Sequence, residues 1–188
     1  MRRIVVTEFV SADGVMEDPG GAEGFRHGGW TFKFNDEEGM RYKLEETLEH
    51  DALLLGRVTY EGFAKAWPGM TDDVGFADKM NSMPKYVVSS TLTEATWNNS
   101  TILRGDLAQE VGALKAQDGG DILVAGSASL VRGLTDRGLV DEYRLMTFPI
   151  ALGEGKRLFD GIGDAVTLRL VDAKPLQSGT VILTYHRA

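Results

Sequence analysis

The sequence predicts an α/β fold: a mostly parallel central sheet, helices on both faces, and an antiparallel hairpin at the C-terminal end. Three observations carry that reading. Short, continuously apolar runs such as Ile4-Val5-Val6, Leu53-Leu54-Leu55, Tyr86-Val87-Val88 and Ile122-Leu123-Val124 have the pattern of strands buried on both faces. Segments of helical spacing separate them, as parallel strands require. The last third changes character: residues 141–148, 165–171 and 180–186 alternate more, and the final two read as an antiparallel pair.

The elements follow in order. Residues 2–10 form the first strand, too densely apolar for a surface ribbon. Residues 11–34 hold Gly14, Pro19, Gly20, Gly21, Gly24, Gly28 and Gly29 and are expected to form a long loop, a length usually tied to function. Phe25, Trp30, Phe32 and Phe34 would fold that loop back onto a mini-core or over a planar substrate. Asn35 and Glu38 have the form of a capping box, and Met40, Leu44 and Leu48 continue at helical spacing. Ala52 to Leu55 is a strand and Val58 to Ala66 a helix, closed by Trp67-Pro68-Gly69. Lys85 to Ser89 and Thr101 to Arg104 are strands. Asp106 is placed to cap a helix carrying Leu107, Val111 and Leu114. Asp121 to Ala125 is a strand, followed by a helix with Leu130, Val131 and Leu134.

Composition narrows the function classes. A chain of 188 residues suits one domain, here 1–188, and 43% hydrophobic with 26% charged residues is ordinary for a soluble globule. It has no cysteine, which excludes thiol catalysis and fits the cytoplasm. Glu8 and Asp13 break the first apolar stretch, so neither a signal peptide nor a membrane span is expected. A net charge of -8 without a basic run argues against nucleic-acid binding. His27, His50 and His186 lie far apart, so no metal is expected.

Three of the strands end in turns suited to phosphate: Gly56-Arg57-Val58-Thr59, Ser89-Ser90-Thr91 and Gly126-Ser127-Ala128-Ser129. A helix N-terminus carries partnerless N–H groups and about half a positive charge, and Arg57 adds a fork of donors. In open parallel sheets such turns share the carboxyl edge, where ligands bind. A dinucleotide across that edge is the expectation. Gly126 to Leu130 lacks the final glycine of a nucleophile elbow, and Gly153-Glu154-Gly155-Lys156 lacks the spacing of a phosphate loop.

These residues carry a resemblance. Ser11-Ala12-Asp13-Gly14, Leu54-Leu55-Gly56-Arg57-Val58-Thr59-Tyr60, Val87-Val88-Ser89-Ser90, Val124-Ala125-Gly126-Ser127-Ala128 and Pro149 to Phe159 occur in an order that resembles the dihydrofolate-reductase-like superfamily. Within it, the chain looks like the branch containing the riboflavin-biosynthesis reductase domain. The resemblance covers nearly the whole chain and implies an NADPH-dependent reductase. By it, Gly56, Arg57 and Thr59 hold the pyrophosphate and 2′-phosphate side, and Ser89 and Ser90 the adenosine-ribose phosphate. Gly126, Ser127 and Ala128 meet the pyrophosphate and nicotinamide. Val10, Ser11 and Asp13 border the nicotinamide and the substrate. Ser127 stands where the family has a second glycine, and its hydroxyl is expected to cap the following helix.

The expected substrate is a small planar heterocycle or carbonyl compound, pterin- or pyrimidine-like, with Ser11, Trp30 and Phe34 against it. A water ordered by Asp13 or Asp36 would supply the proton. The resemblance also implies a homodimer. The alternative is a protein of the same fold that binds nucleotide without turnover.

Overall fold

The computed structural model describes all of residues 1–188. Eight strands form one sheet in the order β4-β3-β2-β5-β1-β6-β8-β7. In chain order they are β1 (Ile4–Ser11), β2 (Ala52–Gly56), β3 (Lys85–Val88), β4 (Ser100–Leu103), β5 (Ile122–Val124), β6 (Glu142–Phe148), β7 (Leu168–Pro175) and β8 (Val181–Arg187). The first six in spatial order run parallel; β8 is antiparallel to both β6 and β7. The mostly parallel sheet and its C-terminal hairpin are therefore as the sequence predicts.

Five helices cover the sheet: α1 (Glu37–Glu49), α2 (Arg57–Ala66), α3 (Phe76–Ser82), α4 (Leu107–Lys115) and α5 (Ala128–Asp136). One face packs Val111, Leu114, Leu130 and Leu134 of α4 and α5 against Ile4, Val6, Leu54 and Val124. The opposite face packs Tyr60 of α2 and Met80 of α3 against Val5, Leu53, Leu55, Val87 and Leu123. Helix α1 lies beside α3 on that second face. Strand residues thus alternate between two cores, which is why the runs Ile4–Val6, Ala52–Leu55 and Ile122–Val124 are apolar at every position. A third cluster joins Trp30, Met146, Phe148, Leu176 and Ile182.

Several expectations are corrected. Helix α1 starts one residue later than the capping box implies: Asp36 is the cap, its Oδ1 accepting the Gly39 N–H at 2.5 Å. Asn35 instead ends a 3-10 turn over Trp30–Phe34 within the expected loop. No sequence pattern marks α3, which Asp72 organises by accepting the N–H groups of Phe76 and Ala77. Strand β7 lies at 168–175 rather than 165–171, with an irregularity between Leu170 and Asp172. It is an edge strand exposed almost throughout, so no apolar alternation marks its bounds. Asp106 does cap α4, accepting from the N–H groups of Ala108 and Gln109.

Strand β1 leads through α1, on one face, to β2, while β5 leads through α5, on the other, to β6. Adjacent strands that send their chains to opposite faces open a crevice at their carboxyl ends. Here that crevice lies among β2, β5 and β1.

Candidate active site

Two adjoining cavities occupy this crevice. The larger, about 600 Å³, extends from Thr59 and the Gly126-Ser127-Ala128 turn down to Phe63, Trp67, Phe76 and Met80. The smaller, about 350 Å³, lies among Gly56, Arg57, Ser89, Ser90, Ser127 and Leu130. Val58, Ser127 and Ser129 line both, so the two form one groove. Both volumes are of the size that holds small ligands and cofactors.

The groove is floored by two helix starts. Gly56 is the N-cap of α2 and Ser127 that of α5, and neither helix has a side-chain cap. Ser127 does not cap α5 as expected; its hydroxyl meets that of Ser129 at 3.0 Å. Two sets of backbone N–H groups are thereby left for a ligand, which suits an anion. The backbones approach closely here. A Cβ on Gly56 would lie 2.1 Å from Ser127 Oγ, and one on Gly126 2.7 Å from Thr59 Oγ1. Gly126 has φ 78°, and the Gly126–Ser127 peptide is cis.

Arg57 stands at the smaller cavity, paired with Glu61 one turn on at 3.0 Å. Ser89 Oγ accepts the N–H groups of Thr91 and Leu92, fixing the turn that presents Ser90. The structure thus gathers Gly56, Arg57, Thr59, Ser89, Ser90, Gly126, Ser127 and Ala128 along one groove.

The other sequence-chosen residues lie outside both cavities. Val10 is buried in the first core cluster. Ser11 is buried too; its hydroxyl donates to Asp13 Oδ1 at 2.6 Å and accepts the Val15 N–H. Asp13 also accepts the N–H groups of Leu152 and Gly153, so it staples one loop to another. The Ser11 hydroxyl and those N–H groups lower its carboxyl to a pKa of about 2. Asp36 is committed to capping α1 and to the Ser178 N–H. Trp30 and Phe34 pack on Phe148, one layer behind the cavity residue Phe9. Trp30 acts on the site at one remove: its indole N–H holds the Glu17 carbonyl at 2.9 Å, and Glu17 lines the larger cavity. Of these six residues, Val10 and Phe34 serve packing, and Ser11, Asp13, Asp36 and Trp30 turn their polar atoms to loops and a helix cap.

The structure also brings in residues the sequence reading passed over. Asp18, at φ 48°, gathers the long loop: its carboxylate accepts the N–H groups of Ala22, Glu23 and Phe25. That places Glu17, Pro19 and Gly20 on the cavity wall. Lys43 reaches the cavity from α1, shared between Thr7 and Glu46. Glu8 lines the cavity from β1, and its Oε1 accepts the Gly126 N–H at 2.7 Å. Burial pushes the Glu8 carboxyl up to about 8, above its ordinary value of 4.5, even though that N–H and Lys43 pull it down. A lone acid in an apolar strand is a detectable conflict between pattern and composition, and such conflicts gather at functional sites.

Similarity to known proteins agrees with this fold. Residues 2–182 match the family model described as the RibD C-terminal domain. Uncharacterized protein YyaP of Bacillus subtilis (strain 168) is 31% identical over 188 residues, covering 98% of this chain and 95% of its own. A protein from Shewanella sp. PV-4 assigned to riboflavin biosynthesis superposes with a TM-score of 0.79 at 22% identity, over 99% of both chains. Dihydrofolate reductase from Enterococcus faecalis, in complex with NADP(H) and the ligand RAB-propyl, superposes with a TM-score of 0.59 at 16% identity, over 98% of this chain and 96% of its own. No helix is long and apolar enough to cross a membrane. Fold, crevice and sequence match together make this chain a member of the RibD C-terminal domain family, on a dihydrofolate-reductase-like fold.

Proposed function

We propose that the chain is a reductase that holds NADPH along the groove and reduces a small planar heterocycle or carbonyl compound in the larger cavity. The observation that carries this reading is the pair of uncapped helix starts, at Gly56 and Ser127, opening on one continuous groove. The residues present fit the cofactor. The N-termini of α2 and α5 would take the pyrophosphate, and the close approach at Gly56 and Gly126 leaves the backbone bare of side chains there. Arg57 with Ser89 and Ser90 would take the adenosine-ribose phosphate, which distinguishes NADPH from NADH. Ala125 and Ala128, with no polar side chain, would border the nicotinamide. A bound NADPH supplies a hydride; the chain's own part is to orient it and exclude water.

Below that turn the larger cavity offers Phe63, Trp67, Phe76 and Met80, a wall suited to a flat ring. The NADP(H)-bound reductase of similar fold supports the cofactor assignment. Titrating NADPH and NADH against the wild type and Arg57→Ala tests it. Tighter binding of NADPH, lost by about tenfold in the variant, is expected for one charge-assisted phosphate contact. Equal affinity for both cofactors in the wild type overturns the phosphate assignment. Saturable binding with no NADPH oxidation by pterin, pyrimidine or quinone panels would instead favour a binding protein without turnover.

A further inference from the structure

We propose that Glu8 is the proton donor of this site, passing its carboxyl proton to the nitrogen or oxygen of the double bond being reduced. The proposal rests on the reductase reading above and adds the group that completes the chemistry. Glu8 sits where β1 and β5 part. Their ladder runs through Ile4, Val5 and Val6 against Ile122, Leu123 and Val124 and then stops. The next N–H on the β5 side, that of Gly126, goes to Glu8 Oε1 at 2.7 Å instead of to backbone. The side chain therefore fills the crevice itself, between the nicotinamide turn and the cavity. Oε2 makes no hydrogen bond within the chain and is left for a ligand.

The other charged groups of the cavity are engaged or distant. Glu17 pairs with Lys156 at 2.8 Å. The Asp18 carboxylate holds three loop N–H groups. Arg132 gives its N–H to the Asp160 carbonyl at 2.7 Å, and Glu23 is exposed at the mouth. From α1, Lys43 is bound by Glu46 and the Thr7 hydroxyl, so its charge is largely spent on a second buried carboxylate. Glu8 is left buried without a cation of its own, and burial pushes its carboxyl up to about 8. Ordinary carboxylates have lost their proton at neutral pH, whereas this one retains it near the optimum for general acid catalysis.

In the step, the carbon of the C=N or C=O would receive the hydride that bound NADPH supplies in becoming NADP+, the electron pair of the double bond would move to the nitrogen or oxygen, and that pair would take the proton as the Glu8 O–H bond breaks. The carboxylate that remains takes a proton back from water. The substrate class is thus an imine-like heterocycle or a carbonyl compound with its heteroatom turned to Glu8.

Two readouts on wild type and Glu8→Gln test this. Glutamine still accepts the Gly126 N–H, so NADPH binding at pH 6 should persist and serves as the check on folding. Closing the groove over NADPH removes water from Oε2, so the wild type should bind NADPH progressively less well above about pH 8, by up to about tenfold per pH unit. Glu8→Gln should show no such loss. With a p-quinone or dihydrofolate as acceptor, the variant should turn over about 10²–10⁴-fold more slowly and lose the alkaline limb of the rate profile. A variant with the wild-type affinity curve, rate and pH profile overturns the proposal. Failure of both proteins to bind NADPH at any pH overturns the reductase reading, and the proposal with it.

Discussion

Gly56 and Ser127 face each other so closely that a Cβ on the glycine would stand 2.1 Å from the serine Oγ and 3.0 Å from its Cβ. Two helix starts from strands far apart in sequence are thereby pressed into one groove floor. Gly56→Ala should force Ser127 aside, costing about 2 kcal/mol of stability through overpacking and lowering NADPH affinity. Adding Ser127→Gly removes both clashing atoms and should restore part of the loss. Thermal denaturation and fluorescence titration of the two single variants and the double variant check the coupling; additive effects would mean that the contact does not matter.

The Arg57–Glu61 pair is about half exposed, with side-chain exposures of 44% and 40%, so it adds little stability and is easily exchanged for a phosphate. Glu61→Gln should strengthen NADPH binding a few-fold by freeing the guanidinium, while NADH binding stays unchanged. Titration at two ionic strengths checks it, since the gain should shrink at high salt.

Asp13 and Asp36 are predicted to act on stability and not on the cofactor. Asp36→Ala should cost about 1 kcal/mol, as loss of a helix cap does. Asp13→Asn should loosen the contact with Leu152 and Gly153. Because its carboxyl is held down at about 2, the stability Asp13 contributes is present above its unfolded value near 3.8 and fades as pH falls towards 2. Melting temperatures and NADPH titrations of both variants separate the two kinds of effect.

Glu8 predicts the opposite pH dependence. Its folded value, about 8, lies above the ordinary 4.5, so the native state holds the proton more tightly than the unfolded chain. Its contribution is full below pH 4.5, declines as pH rises, and is lost above 8. Glu8→Gln should therefore be more stable than the wild type at pH 9, with a flatter dependence from pH 5 to 9. Denaturant midpoints across that range measure it. Parallel curves would place the Glu8 titration elsewhere.

Lys85 is fully buried, its ammonium held by the carbonyls of Asn81, Met83 and Asn98 at 2.7–3.0 Å and stacked on Trp97 at 4.2 Å. It ties the end of α3, which supplies Phe76 and Met80 to the cavity, to the approach to β4. Lys85→Met leaves three carbonyls without a donor and should cost about 3 kcal/mol, read as a lower urea midpoint by Trp97 fluorescence.

Much of this molecule is written locally. The strands β1, β2, β3 and β5 follow from apolar runs that need no distant partner to be recognised. The turns at Gly56 and Gly126 follow from residue types suited to helix starts, and that at Ser89 from small polar residues suited to a turn. Other features are not local. Helix α3 depends on Asp72 reaching forward to Phe76 and Ala77, and β7 on pairing with β8 along an exposed edge. Asp13 precedes a glycine and Asp36 opens an acidic run, settings that serve catalysis and loop closure equally well; beside the local Ser11 and Gly39, the partners that tie them to other loops, Leu152, Gly153 and Ser178, are more than a hundred residues away.

Glu8 shows the division most sharply. In the sequence it is only a charge interrupting an apolar stretch. Its bond to Gly126 spans 118 residues and exists because β1 and β5 part after three paired residues, leaving a backbone N–H that only this side chain reaches. The sequence alone determined the fold class and the residue chemistry of the turns that line the groove, because helix starts and buried strands are properties of short segments. Only the tertiary structure decided which of the cavity's carboxyls is buried without a cation, because burial and strand splaying arise from contacts between distant parts of the chain.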